Sequence, residues 1–218
     1  MTTATERFLK YIAVNTTSVD DAKVYPSSPN QKVLGAQIAE EMKAMGLTDV
    51  IQDEYGYVMG TIPATRDKVR PLAHQHLDTS NAVSGGPIHP AFVDYQGGDI
   101  VLNKEQDIVM TPSAFPCLNE VKGKRLIVTD GTTLLGADDK AGVAEIMTLA
   151  ERLLRPDAPK HGKIRIGFTP DEEVGEGTKF FDLEKFGAQI AYTVDGGALG
   201  ELEYETSTRL RQLSPSRA

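Results

Sequence analysis

Apolar residues recur at two periods along the 218-residue chain. Helical spacing, with neighbours three and four apart, marks Phe8, Leu9 and Ile12, then Leu34, Ile38, Met42 and Met45, then Val143, Ile146, Met147, Ala150 and Leu154. The first run follows Thr3-Ala4-Thr5-Glu6, whose Thr and Glu match a reciprocal helix cap. The second starts near Ser28-Pro29 and stops at Gly46. The third predicts a helix over Lys140 to Leu154, with Glu151 and Arg155 spaced to pair across one turn. Shorter β-type runs predict strands at Asp49 to Gln52, Tyr57 to Ile62, Pro71 to Leu77, Arg125 to Thr129, Lys163 to Thr169 and Ile190 to Val194. A further helix is expected over Thr178 to Phe186, and Glu201 to Glu205 alternates like a strand. Asn81 to Lys124, rich in Gly, Pro and Asp, reads as an elaborated loop with short strands, and Thr206 to Ala218 as a disordered tail. Strands alternating with helices predict an α/β fold with a mixed, mainly parallel sheet and helices on both faces.

Charge narrows the classes of partner. The net charge is −8 with no basic run, which argues against nucleic acid. No stretch approaches the ~18 apolar residues of a membrane span. The start, MTTATERFLKYIAVN, lacks the basic and apolar pattern of a secretion signal, and the single Cys117 cannot form an internal disulfide. The expected location is the cytoplasm.

Candidate chemistry collects behind predicted strands, at HLD (His76 to Asp78), ADD (Ala137 to Asp139), PDEE (Pro170 to Glu173) and VDGG (Val194 to Gly197). In open α/β sheets such positions converge on one ligand site. Taken singly, each has an ordinary reading: a hydrogen-bonded histidine, acids at a helix start, an exposed loop and a turn. Taken together, they concentrate carboxylates that repel one another unless protons or cations intervene. Histidine with carboxylates and no thiolate cluster suits zinc or a similar divalent transition ion. The DxDxDG spacing of a calcium loop is absent. Two ions sharing a bridging carboxylate activate a water, and a neighbouring free carboxylate takes its proton. Glu172 and Glu173 could divide those tasks. The stretch IVTDGTTLLG superficially resembles a phosphatase loop, but Val128 stands where that loop needs its nucleophilic Asp.

HLDTS, TDGTTLLGADDKAGVAEIM, HGKIRIGFTPDEEVG and YTVDGGALGELEYE, in this order, resemble the peptidase T family, cytoplasmic tripeptide aminopeptidases of the di-zinc aminopeptidase and carboxypeptidase superfamily. The likeness runs from about residue 5 to about residue 205. It implies that His76 and Asp195 hold one zinc, that Asp138 bridges to a second held by Glu173, and that Asp78 orients His76. Glu172 would be the general base and acid. A cis peptide between Asp138 and Asp139, with Asp139 shaping the turn, is also implied, as is close packing at Ala141 and Gly142. The implied reaction releases the N-terminal residue of tripeptides.

Members of that family continue beyond the GELEYE segment into a lid and dimerisation domain, then return with a late zinc-binding histidine. After Tyr204 this chain has no histidine, and His74, His89 and His161 fall on no ligand position. The strand before His76 is also more polar here, with His74 and Gln75. The expectation is therefore an N-terminal catalytic portion over residues 1–205, with the second zinc site short of one ligand. The alternative is a truncated remnant that binds metal or peptide without turnover.

Overall fold

The computed structural model describes residues 1–66, 72–188 and 190–197, and the side chains of 72–74 lie outside that description, as do Glu201 to Glu205 and Thr206 to Ala218. The main sheet is built from β1 (Thr48–Gln52), β2 (Val58–Ile62), β3 (Leu72–His76), β8 (Ile164–Thr169) and β9 (Tyr192–Thr193), in the order β1-β2-β8-β3-β9. Helices α1 (Ala4–Ile12), α2 (Asn30–Met45) and α3 (Ala137–Leu153) pack on it. The sheet is mixed: β1–β2 and β2–β8 are antiparallel, β8–β3 and β3–β9 parallel. Parallel pairing is thus confined to the half that carries HLD, PDEE and VDGG at its carboxyl ends.

Each element has a local cause. The Thr3 hydroxyl accepts from Glu6 N at 3.1 Å while the Glu6 carboxylate accepts from Thr3 N at 2.7 Å, closing the expected cap of α1. Gly46, at φ 97°, ends α2 in the left-handed conformation that glycine adopts without cost. Burial of Phe8, Tyr11 and Ile12 from α1, Leu34, Ile38 and Met42 from α2, and Val143, Met147 and Ala150 from α3 builds one core against Val58, Ile62, Ile166 and Phe168 of the sheet. The opposite face buries Tyr57 and Met59 beneath Phe186 of the short α4 (Leu183–Phe186). Helices therefore lie on both faces.

Four expectations are corrected. The helix predicted over Thr178 to Phe186 shrinks to α4, because Asp182 caps it by accepting from Lys185 N at 2.9 Å. Strand β7 (Arg125–Val128) lies outside the main sheet and pairs with β4 (Ala91–Asp94) within the elaborated segment, where β5 (Ile100–Asn103) and β6 (Ile108–Met110) form a second ribbon. The strand expected over Ile190 to Val194 is reduced to β9. Glu151 does not pair with Arg155: it accepts from the buried Arg7 guanidinium at 2.7 Å, and Arg155 pairs with Asp157 at 2.9 Å. Among the described residues no helix is long and apolar enough to cross a membrane.

One polar side chain sits badly. Gln75 pairs in register with Phe168, so it projects onto the main core face, and it is fully buried. Neither its amide oxygen nor its nitrogen has a hydrogen-bond partner among the described residues. An unsatisfied buried polar group costs about 1–3 kcal/mol. Gln75→Leu is therefore expected to raise unfolding free energy by about that amount, measured by urea denaturation; an unchanged or lower midpoint would contradict the assignment.

Candidate metal centre

The parallel register decides which loops meet. His76 lies opposite Thr169, and Leu77 N donates to Thr169 O at 2.8 Å, so HLD and PDEE leave the sheet side by side. Thr193 of β9 pairs with His74, which brings the loop of Asp195 to the same edge. The ADD segment arrives differently. Its preceding strand is in the accessory ribbon, and its acids come from the first turn of α3. Gly136 at φ 74° turns the chain, Asp138 and Asp139 have non-helical backbone angles with a cis peptide between them, and regular helix starts at Lys140.

Asp78 organises this edge. It is fully buried, and its Oδ1 and Oδ2 accept from Glu172 N and Glu173 N, both at 3.0 Å. Its Oδ1 also lies 3.4 Å from His76 Nδ1, which contacts Asp78 O at 3.1 Å. The other ring nitrogen, Nε2, faces Asp138 Oδ1 at 3.4 Å. Asp78 thus lies against one ring nitrogen of His76 and Asp138 against the other.

Around His76 the side chains form two sets. Ligand atoms of His76, Asp138 and Glu173 lie within 4.8 Å of one another, and so do those of His76, Asp139 and Asp195. All four residues expected to hold metal therefore converge, although Asp138 and Asp195 fall in different sets. The family resemblance implies for Asp139 only the shaping of the turn. It does shape it, accepting from Gly142 N at 3.0 Å through Oδ1, but its buried Oδ2 has no partner among the described residues. Nothing in its sequence context separates it from Asp138; only the turn geometry does. A Cβ at Gly142 would collide with Val194 O and the Asp139 carboxylate, so the close packing expected there is present.

Burial and neighbouring carboxylates set the electrostatics of the site. Burial disfavours the charged His76 ring, but the Asp78 carboxylate, with Glu172 and Asp139 nearby, outweighs it and pushes the pKa up to about 9. Burial, aided by Asp195 and Asp138, pushes Asp139 up to about 8 despite the Gly142 N–H and His76. Burial likewise raises Glu173. Lys140, buried and donating to Val14 O at 2.8 Å, is pushed down to about 8 by desolvation. Asp138 is 70% exposed and Glu172 is exposed, so the cluster opens to solvent on that side. The donor set, one imidazole with several carboxylates, fits a divalent transition ion. The orphaned Asp139 oxygen and the protons held at His76 and Asp139 are what such an ion would satisfy and displace.

No family model matches the chain. It is 54% identical over 204 residues to a protein named peptidase T from Geobacillus kaustophilus (strain HTA426), covering 92% of this chain and 50% of that protein. It is 51% identical over 208 residues to peptidase T from Clostridium novyi (strain NT), covering 94% and 51%. The crystal structure of aminopeptidase PepT from Bacillus cereus ATCC 10987 superposes with a TM-score of 0.62 at 25% identity, covering 89% of this chain and 43% of that one. The chain thus spans about half the length of the curated relatives it matches. The fold is one shared with the solved aminopeptidase PepT structure. In sequence, the chain resembles peptidase T.

A pH test follows. His76 and Asp139 both have folded-state pKa values above their ordinary ones, so near pH 7 the metal-free fold holds more protons than the unfolded chain. The stability tied to them is complete at low pH and is lost as pH rises through about 8 for Asp139 and about 9 for His76. Zinc binding at about pH 7 should release more than one proton per chain, read from calorimetric enthalpies in buffers of different ionisation heat. Binding without proton release contradicts this electrostatic picture.

Proposed function

We propose that this chain carries the metal-holding machinery of a metallo-aminopeptidase that releases the N-terminal residue of tripeptides. The observation that carries the reading is the convergence of two three-ligand sets on His76, with Glu172 beside them. In it, His76, Asp138, Glu173 and Asp195 hold up to two zinc ions, and Asp78 orients His76. Bound zinc would supply Lewis acidity toward the scissile carbonyl and toward a water molecule.

The chain's own residues do the rest. Glu172 is exposed at the mouth of the site, and its backbone N–H is held by Asp78, which fixes where its carboxylate starts from. That carboxylate takes a proton from the attacking water as the water oxygen bonds to the carbonyl carbon. It then delivers the proton to the leaving amine as the C–N bond breaks. Tripeptides enter this reading through the likeness to peptidase T. The exposed free Cys117 fits a reducing cytoplasm.

With zinc supplied, the chain should hydrolyse tripeptides. Glu172→Gln should lower kcat by at least about 100-fold while leaving bound zinc unchanged by elemental analysis. Zinc and peptide binding without turnover in the parent chain would show a binding module instead. Turnover that survives Glu172→Gln would remove Glu172 from its role.

A further inference from the structure

The turn that carries Glu172 and Glu173 is held from two sides, and only one of them is Asp78. On the other side lies Asp171, buried to 1% exposure at φ 56°, a backbone region uncommon for residues with a side chain. Its Oδ2 accepts from Ser27 N at 2.6 Å. Its Oδ1 accepts from the Ser27 hydroxyl and from Gln31 Nε2, the latter at 2.7 Å. In return, Asp171 N donates to Gln31 Oε1 at 3.0 Å. Gln31 is itself fully buried, a polar residue in the row that continues as Leu34, Ile38 and Met42 on α2. Two further bonds close the turn, Gly175 N to Glu172 O at 2.7 Å and Glu176 N to Asp171 O at 2.9 Å.

Packing does not call for this arrangement. An apolar residue would serve the core at position 31, and a buried carboxylate has to be matched by several donors to be tolerated. The donors are present and complete, and their common effect is to fix the residue immediately before the tandem glutamates. Asp78 then accepts the next two amides. Three consecutive backbone N–H groups, of Asp171, Glu172 and Glu173, are thus bonded to side chains from two separate elements.

We propose that Asp171 is a positioning residue, acting with Gln31 and Ser27 to set the backbone from which Glu172 and Glu173 reach the metal cluster. The inference rests on the reading of those glutamates as site residues. Asparagine tolerates the left-handed conformation but cannot accept at every position the carboxylate fills, so Asp171→Asn loosens the clamp without adding backbone strain. Adding Gln31→Glu reverses donor and acceptor and restores one contact, because the new side-chain amide at position 171 donates to a carboxylate at position 31.

The test uses the full chain. Amide hydrogen exchange at Glu172 and Glu173 is read by NMR without metal, and zinc affinity by competition with a chromophoric chelator. Asp171→Asn should speed exchange at both amides by about tenfold or more and weaken zinc by about tenfold. The double variant should recover most of both. Ile62→Val, in the core at the far end of β2, should lower global stability and move neither readout. Exchange and affinity unchanged in a folded Asp171→Asn overturn the proposal. If Asp171→Asn does not fold, Ser27→Ala, which removes one hydroxyl contact, should still speed both amides at least about twofold, and no change there overturns it equally. A parent chain that hydrolyses no peptide removes the activity reading alone, because the exchange result needs neither metal nor substrate.

Discussion

The Asp78 carboxylate ties the site together. One buried group accepts the amides of Glu172 and Glu173 and lies against His76 Nδ1. It therefore couples the loop after β3 to the loop after β8, and it does so with charge-assisted bonds in a dry environment, where such bonds are strongest. Removing it would free two backbone donors and the imidazole at once. The parallel β3–β8 register makes this possible, because it delivers both loops to the same edge within one residue of each other.

The remaining acids are brought against His76 by less regular means. Asp138 and Asp139 come from an irregular first turn of α3, and Asp195 from the end of a two-residue strand. Carboxylates gathered this closely cannot all stay ionised without compensation. In the metal-free chain protons compensate, at His76 and Asp139 in particular. A divalent cation is the other way to balance the same cluster, which is why the electrostatics and the ligand geometry lead to one conclusion.

Much of this is legible in the sequence, and the parts that are not have physical reasons. Helical periodicity locates α1, α2 and α3 because each buries a full apolar stripe. The motifs HLD, ADD, PDEE and VDGG name residues that the fold does gather at His76. The helix over Thr178 to Phe186 misleads because the Asp182 cap is decided by local hydrogen bonding rather than by apolar spacing. The strand expected at Arg125 to Thr129 forms as β7, but a run of four apolar-rich residues does not reveal which sheet it joins. Asp139 escapes notice as a candidate ligand because adjacent acids look alike until a turn separates their directions. Asp171 has one available signal, the polar Gln31 in an otherwise apolar helix row, but that signal acquires meaning only when β8 brings its partner across.

The most direct test of the central claim is an anomalous-diffraction crystal structure of the zinc-loaded chain, with data collected on both sides of the zinc edge. The account predicts zinc peaks at His76, shared with the carboxylates of Asp138 and Glu173 or of Asp139 and Asp195. Zinc bound elsewhere, at His89 or His161 with the His76 cluster empty, would contradict it.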